Sequence, residues 1–209
     1  MAIFLVRSTS LILRFSACLS IHHFTPTFVS GKFAFVVSII FLITPSVSPG
    51  FEDISVEKVA VLLTHALNDQ GLHLDVELVR VGGLLHDMCR VQPEHWNRGA
   101  DLLEEMGFPQ EAHIVRHHMT HTPNMKMEQL TELDMVCLAD RMIMEDQFVG
   151  LERRMDYVIQ KAQSNPTTLL IILAKKALTK DLIQDIETKI GITIESLLET
   201  DATCTHSEK

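Results

Sequence analysis

From residue 51 onward, the hydrophobic positions of this chain recur at intervals of three and four residues, which predicts helices that each bury one face. The first such run consists of Val56, Val59, Ala60, Leu63, Ala66 and Leu67. No stretch of this region alternates apolar and polar residues between turn signals, as a half-buried strand would. The pattern therefore predicts an all-α fold.

Glycine, proline and capping residues divide this pattern into separate helices. The expected boundaries, in chain order, are an end at Gly71, an N-cap at Asp75, a start at Pro93, an end at Gly107, a start at Pro109 and an end near Pro123. Later helices are expected over residues 127–146, 151–162, 166–190 and 192–198, with Gly191 between the last two. Residues 201–209 are interpreted as a frayed polar tail.

Residues 1–50 differ in composition from the rest and form an atypical apolar leader. They contain a mostly apolar run at residues 33–44 and no acidic residue. The region before this run is too long for a typical signal peptide, and the run itself is shorter than the roughly 20 residues of a membrane span. Three interpretations stay open: an export or membrane signal, a genuine packed element, and a spurious or disordered leader.

Charge and cysteine usage exclude some classes of protein. The net charge is -9, and residues 1–50 carry three basic residues and no acid, so the remainder carries the whole acidic excess. Such a body argues against broad nucleic-acid binding, which depends on Lys and Arg neutralising phosphates. The four cysteines form no Cys-x-x-Cys pair: Cys18, Cys89, Cys137 and Cys204. Free thiols in a reducing compartment, and hence the cytoplasm, are the expected reading.

The strongest chemical signal is the pair His86-Asp87, which ends the apolar run containing Leu84 and Leu85. One imidazole nitrogen and one carboxylate oxygen can be offered to the same cation. Mixed nitrogen and oxygen donors suit Mn, Fe, Mg or Zn better than metals that prefer thiolates. The pair therefore predicts a divalent metal site, provided that further ligands lie elsewhere in the chain.

Three further residues qualify as ligands. His95 stands four residues before Gly99-Ala100, and His118 is one of two adjacent histidines. Asp140 lies in the run Leu138-Ala139-Asp140-Arg141, which is expected inside a helix. Asp is a poor residue for a helix interior, and burying its charge is costly unless it is paired or bound to metal. A bound cation would explain that carboxylate.

In this order, the histidines and aspartates resemble the HD-domain superfamily of metal-dependent phosphohydrolases. The resemblance covers residues 54–162, and the later helices resemble the branch in which HD domains stand alone or beside a nucleotidyltransferase of molybdenum-cofactor biosynthesis. His118, Met127 and the Leu-Ala-Asp-Arg run are also similar to HD hydrolases of diadenosine tetraphosphate. The resemblance implies an HD helical bundle at residues 51–163, extra C-terminal helices at 164–200 packed on it, and the tail at 201–209.

The resemblance also implies a ligand set for the divalent metal. His86, Asp87 and Asp140 are the expected ligands, and His95 and His118 occupy the positions where two-metal members bind a second cation. Asp87 and His118 are the expected catalytic residues, because a carboxylate or imidazole beside the metal can accept a proton from water.

Two arginines follow these ligands in the sequence. Arg90 lies three residues after Asp87, and Arg141 directly follows Asp140. An arginine fork suits phosphate oxygens, and an acidic protein needs such local positive charge to hold a phosphorylated substrate. Both are therefore expected to bind substrate phosphate.

The first ligand position departs from the family pattern. Family members carry a histidine one helical turn before the Val59-Ala60 pair, and this chain has Ser55 there. A hydroxyl is a poor ligand for these metals. Two functions therefore stay open: hydrolysis of a phosphoester or phosphoanhydride, with a nucleotide as the expected substrate, and a degenerate, non-catalytic HD domain that binds or regulates. A membrane-tethered accessory protein is a weaker third hypothesis, based on residues 33–44.

Ordinary structural roles are the expected interpretation of several other residues. His113, His117 and His121 form an i, i+4, i+8 stripe, which is interpreted as a solvated face rather than a separate zinc site. Cys89 and Cys137 are interpreted as packing residues. A charged outer face is the simplest interpretation of Glu152, Arg153 and Arg154, although arginines that follow the last ligand can help to hold a nucleotide.

Overall fold

The computed structural model describes residues 55–206 of the chain, with side chains up to Asp201. Eight helices form this part: α1 (Val56–Asp69), α2 (Val76–Leu85), α3 (His95–Glu105), α4 (Pro109–His117), α5 (Glu132–Asp140), α6 (Gly150–Ala162), α7 (Pro166–Ile190) and α8 (Ile194–His206). A single 3-10 turn covers Met127–Gln129, and β1 (Ile143–Met144) pairs antiparallel with β2 (Gln147–Phe148). The all-α prediction is confirmed, whereas the interpretations of the leader lie outside the described residues.

The helix boundaries agree with the sequence where a capping or breaking residue sets them. The Asp75 carboxylate accepts hydrogen bonds from the backbone N–H groups of Glu77 and Leu78, as expected of an N-cap. Gly191 follows α7 with a φ of 80°, a left-handed conformation that glycine adopts without steric cost. The predicted bounds of α7 agree with the structure.

Three boundaries differ because local backbone geometry ends or delays a helix. The helix predicted over residues 127–146 is only α5, since the chain turns at Arg141 and enters the β1–β2 hairpin, where Glu145 has a φ of 57°. Glu94 is left-handed, with a φ of 51°, so α3 begins at His95 rather than at Pro93. The α4 helix ends at His117, well before Pro123, because the His117 carbonyl accepts the N–H groups of Thr120 and His121 in a turn.

The end of the chain is more ordered than its polar composition predicts. Helix α8 continues to His206, so the tail expected at residues 201–209 is helical over its first six positions. Lys58 on α1 lies 3.2 Å from a carboxylate oxygen of Asp201 and ties the last turns of α8 to the bundle. The Thr200 hydroxyl bonds the Ser196 carbonyl one turn earlier.

A single hydrophobic core joins the early and late helices. Val59 and Leu63 on α1 are fully buried, and the same cluster includes Leu182 and Ile186 on α7 and Ile194 on α8. The C-terminal helices therefore share the core of the helices that precede them. Among residues 55–206, no helix combines the length and the apolar character needed to cross a membrane.

Close helix packing places the end of α2 in the middle of the bundle. A Cβ atom on Gly83 would lie 2.8 Å from the Cα atom of Glu57 in α1, and one on Gly82 would lie 2.7 Å from the end of the Ile114 side chain in α4. Both distances are too short for real contacts, so glycine allows α2 to approach both neighbours. His86 follows α2 directly and is buried.

Candidate metal centre

Four helix ends converge to form the candidate site. His86 is the C-cap of α2, His118 is the C-cap of α4, His95 is the first residue of α3, and Asp140 is the last residue of α5. Asp87 follows His86 directly in the turn that leaves α2. Asp140 lies in a helix, as predicted, but at its last position rather than in the interior, and this leaves the carboxylate free to turn towards its neighbours.

Asp87 lies at the centre of the cluster. Its Oδ1 atom is 3.1 Å from Nε2 of His95 and 3.5 Å from Nε2 of His118. One ligand atom from each of these three residues falls within 4.8 Å of the others, which is close enough for all three to bind one ion. From the sequence, His95 and His118 are predicted as ligands of a second cation. The structure places both of them next to Asp87.

His86 lies on the other side of Asp87 and links it to Asp140. Nε2 of His86 is 3.8 Å from Oδ2 of Asp87 and 4.0 Å from Oδ1 of Asp140. The rings of His86 and His118 meet edge to face, with their centroids 5.4 Å apart. All five predicted ligands thus lie in one cluster, arranged around the Asp87 carboxylate.

Backbone carbonyls set the protonation of two of the imidazoles. Nδ1 of His86 lies 2.7 Å from the Gly83 carbonyl oxygen, and Nδ1 of His118 lies 2.7 Å from the Val115 carbonyl oxygen. A carbonyl can only accept, so each Nδ1 carries the proton and donates it. In the neutral ring, Nε2 then presents a lone pair towards the carboxylates, as in metal-binding histidines.

The Nε2 atoms of His95 and His118 are buried, and neither has a hydrogen-bond partner among the described residues. Buried polar atoms without partners are rare in native proteins, and each needs an explanation. A cation between these nitrogens and the Asp87 carboxylate supplies one. The donor set fits a divalent metal such as Mn, Fe or Zn.

The electrostatics of the site keep its ligands in their metal-binding forms. Burial by itself would raise the pKa of Asp87, but its interactions with His118, His86 and Arg90 outweigh burial and lower that pKa. Burial lowers the pKa of His95, which favours the neutral imidazole, and this effect exceeds the opposing attraction of Asp87. An ionised carboxylate and a neutral imidazole are the states that bind a metal.

The two arginines predicted to bind phosphate have different surroundings. Arg90 is largely exposed, and its Nη1 lies 3.3 Å from Oδ2 of Asp87, so its guanidinium stands at the open side of the cluster. Arg141 is instead half-buried, and donates to the His121 carbonyl at 2.8 Å and to the Thr179 hydroxyl at 3.2 Å. Phosphate binding by Arg141 stays a prediction, and these contacts give its guanidinium a structural task instead.

The three histidines of the α4 stripe and Ser55 do not join the cluster. Nε2 of His121 lies 3.0 Å from the buried Asp134 carboxylate, so the interpretation of His121 as solvated is wrong. The rings of His113 and His117 are tilted against each other near the end of α4, with centroids 4.6 Å apart. The Ser55 hydroxyl accepts from the Lys58 N–H at 3.1 Å and acts as the N-cap of α1.

Cys137 packs beside the site without taking part in its chemistry. Its thiol lies 3.6 Å from the His118 carbonyl oxygen, and burial raises the pKa of Cys137 to about 12. A thiol that stays protonated is a poor nucleophile and a poor metal ligand. Its interpretation as a packing residue agrees with this environment.

One residue of the site was interpreted wrongly from the sequence. Arg154 was assigned to a charged outer face, but it reaches the end of α5 and bonds both the carbonyl and the carboxylate of Asp140. Only its neighbours Glu152 and Arg153 are exposed as expected. The spacing of apolar residues in α6 held a weak signal, because Leu151 and Met155 flank Arg154 on the buried side of that helix.

Comparison with known proteins gives one family match. Residues 54–145 match the family model of the HD domain. A stretch of 65 residues is 40% identical to an uncharacterized protein of Methanocaldococcus jannaschii, covering 30% of this chain and 38% of that protein. The chain thus matches well under half of that relative's length. No solved structure matches the chain.

Proposed function

We propose that the HD domain binds a divalent metal and hydrolyses a phosphoester or phosphoanhydride. The observation that carries this proposal is the pair of buried, unpartnered Nε2 atoms of His95 and His118, which converge on the Asp87 carboxylate. Asp87, His95 and His118 would hold the ion, with His86 and Asp140 completing the set. The match of residues 54–145 to the HD family, whose members bind divalent metals, supports the same reading.

A divalent cation at such a site supplies a Lewis acid for the phosphoryl group and makes a bound water more acidic. Asp87 keeps its charge because of the histidines and Arg90 around it, so it can hold that water by a hydrogen bond. His118, with its Nδ1 proton fixed by the Val115 carbonyl, has one free lone pair, on Nε2, so it would act either as a ligand of the ion or as a proton acceptor and not as both. Arg90, which is exposed beside Asp87, would meet a phosphate oxygen of the substrate.

A nucleotide is the proposed substrate class. Within that class, dinucleoside polyphosphates are the more specific proposal. This choice rests on the likeness of His118, Met127 and Leu138-Ala139-Asp140-Arg141 to HD hydrolases of that kind. By the same likeness, a molybdenum-cofactor nucleotidyltransferase is a proposed functional partner. Family analogy alone supports both, because fold does not determine substrate.

The test is turnover by the full-length chain with Mn²⁺, Mg²⁺, Fe²⁺ or Zn²⁺ against mononucleotides and dinucleoside polyphosphates. Phosphate or nucleotide release is expected with at least one metal and is expected to vanish in Asp140→Ala. Asp185→Ala is the matched control, because Asp185 is an exposed aspartate on α7. A folded wild-type protein with no turnover under any metal would refute the enzymatic proposal.

Ser55 favours a second candidate, a non-catalytic HD domain that binds a ligand or regulates a partner. The structure gives its hydroxyl a capping task, and a serine that caps a helix does not replace an imidazole ligand. This alternative predicts nucleotide binding without turnover. Isothermal titration with a nucleotide, run beside the turnover assay, separates the two functions.

A further inference from the structure

The chain that follows His118 is held by three side chains from outside α4. Where α4 ends, its last carbonyls lose the N–H donors that a longer helix would supply. The His118 carbonyl is approached by the Cys137 thiol at 3.6 Å, the Met119 carbonyl accepts from Nζ of Lys175 at 3.1 Å, and the His121 carbonyl accepts from Nη2 of Arg141 at 2.8 Å. Two of these three donors are cations.

One buried hydroxyl links the Arg141 guanidinium to the backbone of α7 at Lys175. Thr179, which is fully buried, donates its hydroxyl proton to the Lys175 carbonyl at 2.7 Å and accepts from Nη1 of Arg141 at 3.2 Å. Lys175 and Thr179 lie one turn apart on α7. The arrangement therefore fixes Arg141 and Lys175 relative to each other and to the turn after α4.

Positive charge is well placed at this point. The C-terminal end of a helix carries partial negative charge on its free carbonyls, which favours nearby cations. Burial lowers the pKa of Lys175, and the positive charge of Arg141 lowers it further. Holding two like charges together has a cost, and the carbonyls of this turn offset it.

We infer that Lys175 is a positioning residue for the metal ligand His118, and that α7 is part of the framework of the site. The ammonium fixes the peptide that follows His118, Arg141 fixes the next bend, and together they hold the imidazole where its Nδ1 meets the Val115 carbonyl and its Nε2 faces Asp87. Lys175 lies outside the HD match at residues 54–145. The inference rests on the proposed metal-dependent function, because it concerns a ligand of that site.

The decisive variant is Lys175→Met in the full-length chain, which keeps the apolar stem and removes the ammonium. Mn²⁺ affinity, measured by isothermal titration, is expected to fall at least about 10-fold, the range seen when groups that orient metal ligands are lost. Lys175→Arg is expected to restore most of the affinity. Lys180→Met is the matched control, because Lys180 is exposed on the same helix and pairs only with surface Glu152.

A double-mutant cycle separates positioning from general loosening of the fold. In a His118→Ala background, Lys175→Met is expected to change Mn²⁺ affinity very little, because the ligand through which it acts is gone. An equal loss in both backgrounds would overturn the inference. Thr179→Val gives an independent test, since it leaves Lys175 in place and releases Arg141, and it is expected to weaken Mn²⁺ binding as well.

A spectroscopic reading keeps this test separate from the proposed function. The ring nitrogen signals of His118 in the metal-free protein report directly on its Nδ1 hydrogen bond. They are expected to change in Lys175→Met and to stay unchanged in Lys180→Met. If wild type binds no metal, the proposed function fails, and the ring signals alone decide the inference: an unchanged His118 ring in Lys175→Met refutes it.

Discussion

Arg154 contacts both the backbone carbonyl and the side-chain carboxylate of Asp140. Its Nε donates to the Asp140 carbonyl at 3.2 Å, and its Nη2 lies 3.5 Å from the Oδ1 atom that also faces His86. The guanidinium reaches from α6 to the end of α5, and only 18% of the side chain is exposed. The arginine thus fixes the direction in which the carboxylate points.

Arg154→Met is expected to weaken Mn²⁺ binding by about 10-fold, because a ligand that is no longer held must be ordered when the metal binds. Titration calorimetry on the folded variant measures this. Arg153→Met is the control, since Arg153 is the adjacent residue and is exposed. Tighter binding in Arg154→Met would show instead that the arginine charge competes with the cation.

Ser55 offers a test of the missing family ligand. Ser55→Ala is expected to lower the free energy of unfolding by about 1 kcal/mol, as loss of an N-cap does, and to leave Mn²⁺ affinity unchanged. Ser55→His is expected to bind Mn²⁺ more tightly, because it restores the imidazole that the family carries there. Urea unfolding and metal titration on both variants measure these effects. Weaker metal binding by Ser55→Ala would mean that the hydroxyl is itself a ligand.

Gly83→Ala is expected to destabilise the protein more than Gly82→Ala. The added methyl at position 83 meets the backbone of Glu57, which cannot move without shifting α1, whereas at position 82 it meets the movable end of Ile114. Overpacking of this kind costs about 1–3 kcal/mol, offset by about 1 kcal/mol of improved helix propensity. Urea unfolding compares the two variants, and equal stabilities would contradict the tight α1–α2 contact.

Asp134 is expected to make part of the free energy of unfolding depend on pH. Burial would raise its pKa, but the contacts with His121, the Asn124 N–H and Thr131 outweigh burial and bring the pKa below the ordinary 3.8. A depressed folded pKa means that the stabilisation is complete above pH 3.8 and is lost as the pH falls through the folded value. Asp134→Asn should therefore be less stable than wild type at pH 7, with a gap that narrows in acid.

Unfolding by urea at pH 7 and at pH 3 measures this gap. Asp101→Asn is the control, since Asp101 is an exposed aspartate that makes only surface contacts with Arg116. A gap between wild type and Asp134→Asn that stays constant over this range would show that the contacts of Asp134 do not depend on its charge.

The helices could be predicted where a single residue sets their ends, and less well where distant contacts do. Asp75, Pro166 and Gly191 act through their own backbone preferences, so a local pattern reveals them. The end of α5 at Arg141 follows from a turn into a hairpin that packs on other helices. Nothing in the apolar spacing of residues 127–146 distinguishes that hairpin from a continuing helix.

The ligands of the candidate site could be predicted because their order along the chain forms a motif. The grouping of these ligands around Asp87, rather than around His86 alone, could not be predicted from the sequence, because it depends on how four helix ends meet. Arg154 and Lys175 are long charged residues in amphipathic helices, and the same pattern describes any solvated face. Only the fold reveals that each reaches a helix end of the site.

The imidazoles of His86 and His118 use carbonyls three residues earlier, at the points where α2 and α4 stop. One more helical residue would offer each of those carbonyls to a backbone amide, and the two hydrogen bonds would compete. Mutations that lengthen either helix are therefore predicted to release the rings and spoil chelation, even where they improve helicity. In this protein the orientation of the two imidazoles depends on where α2 and α4 end. A substitution that extends either helix is therefore expected to weaken metal binding even if it raises stability.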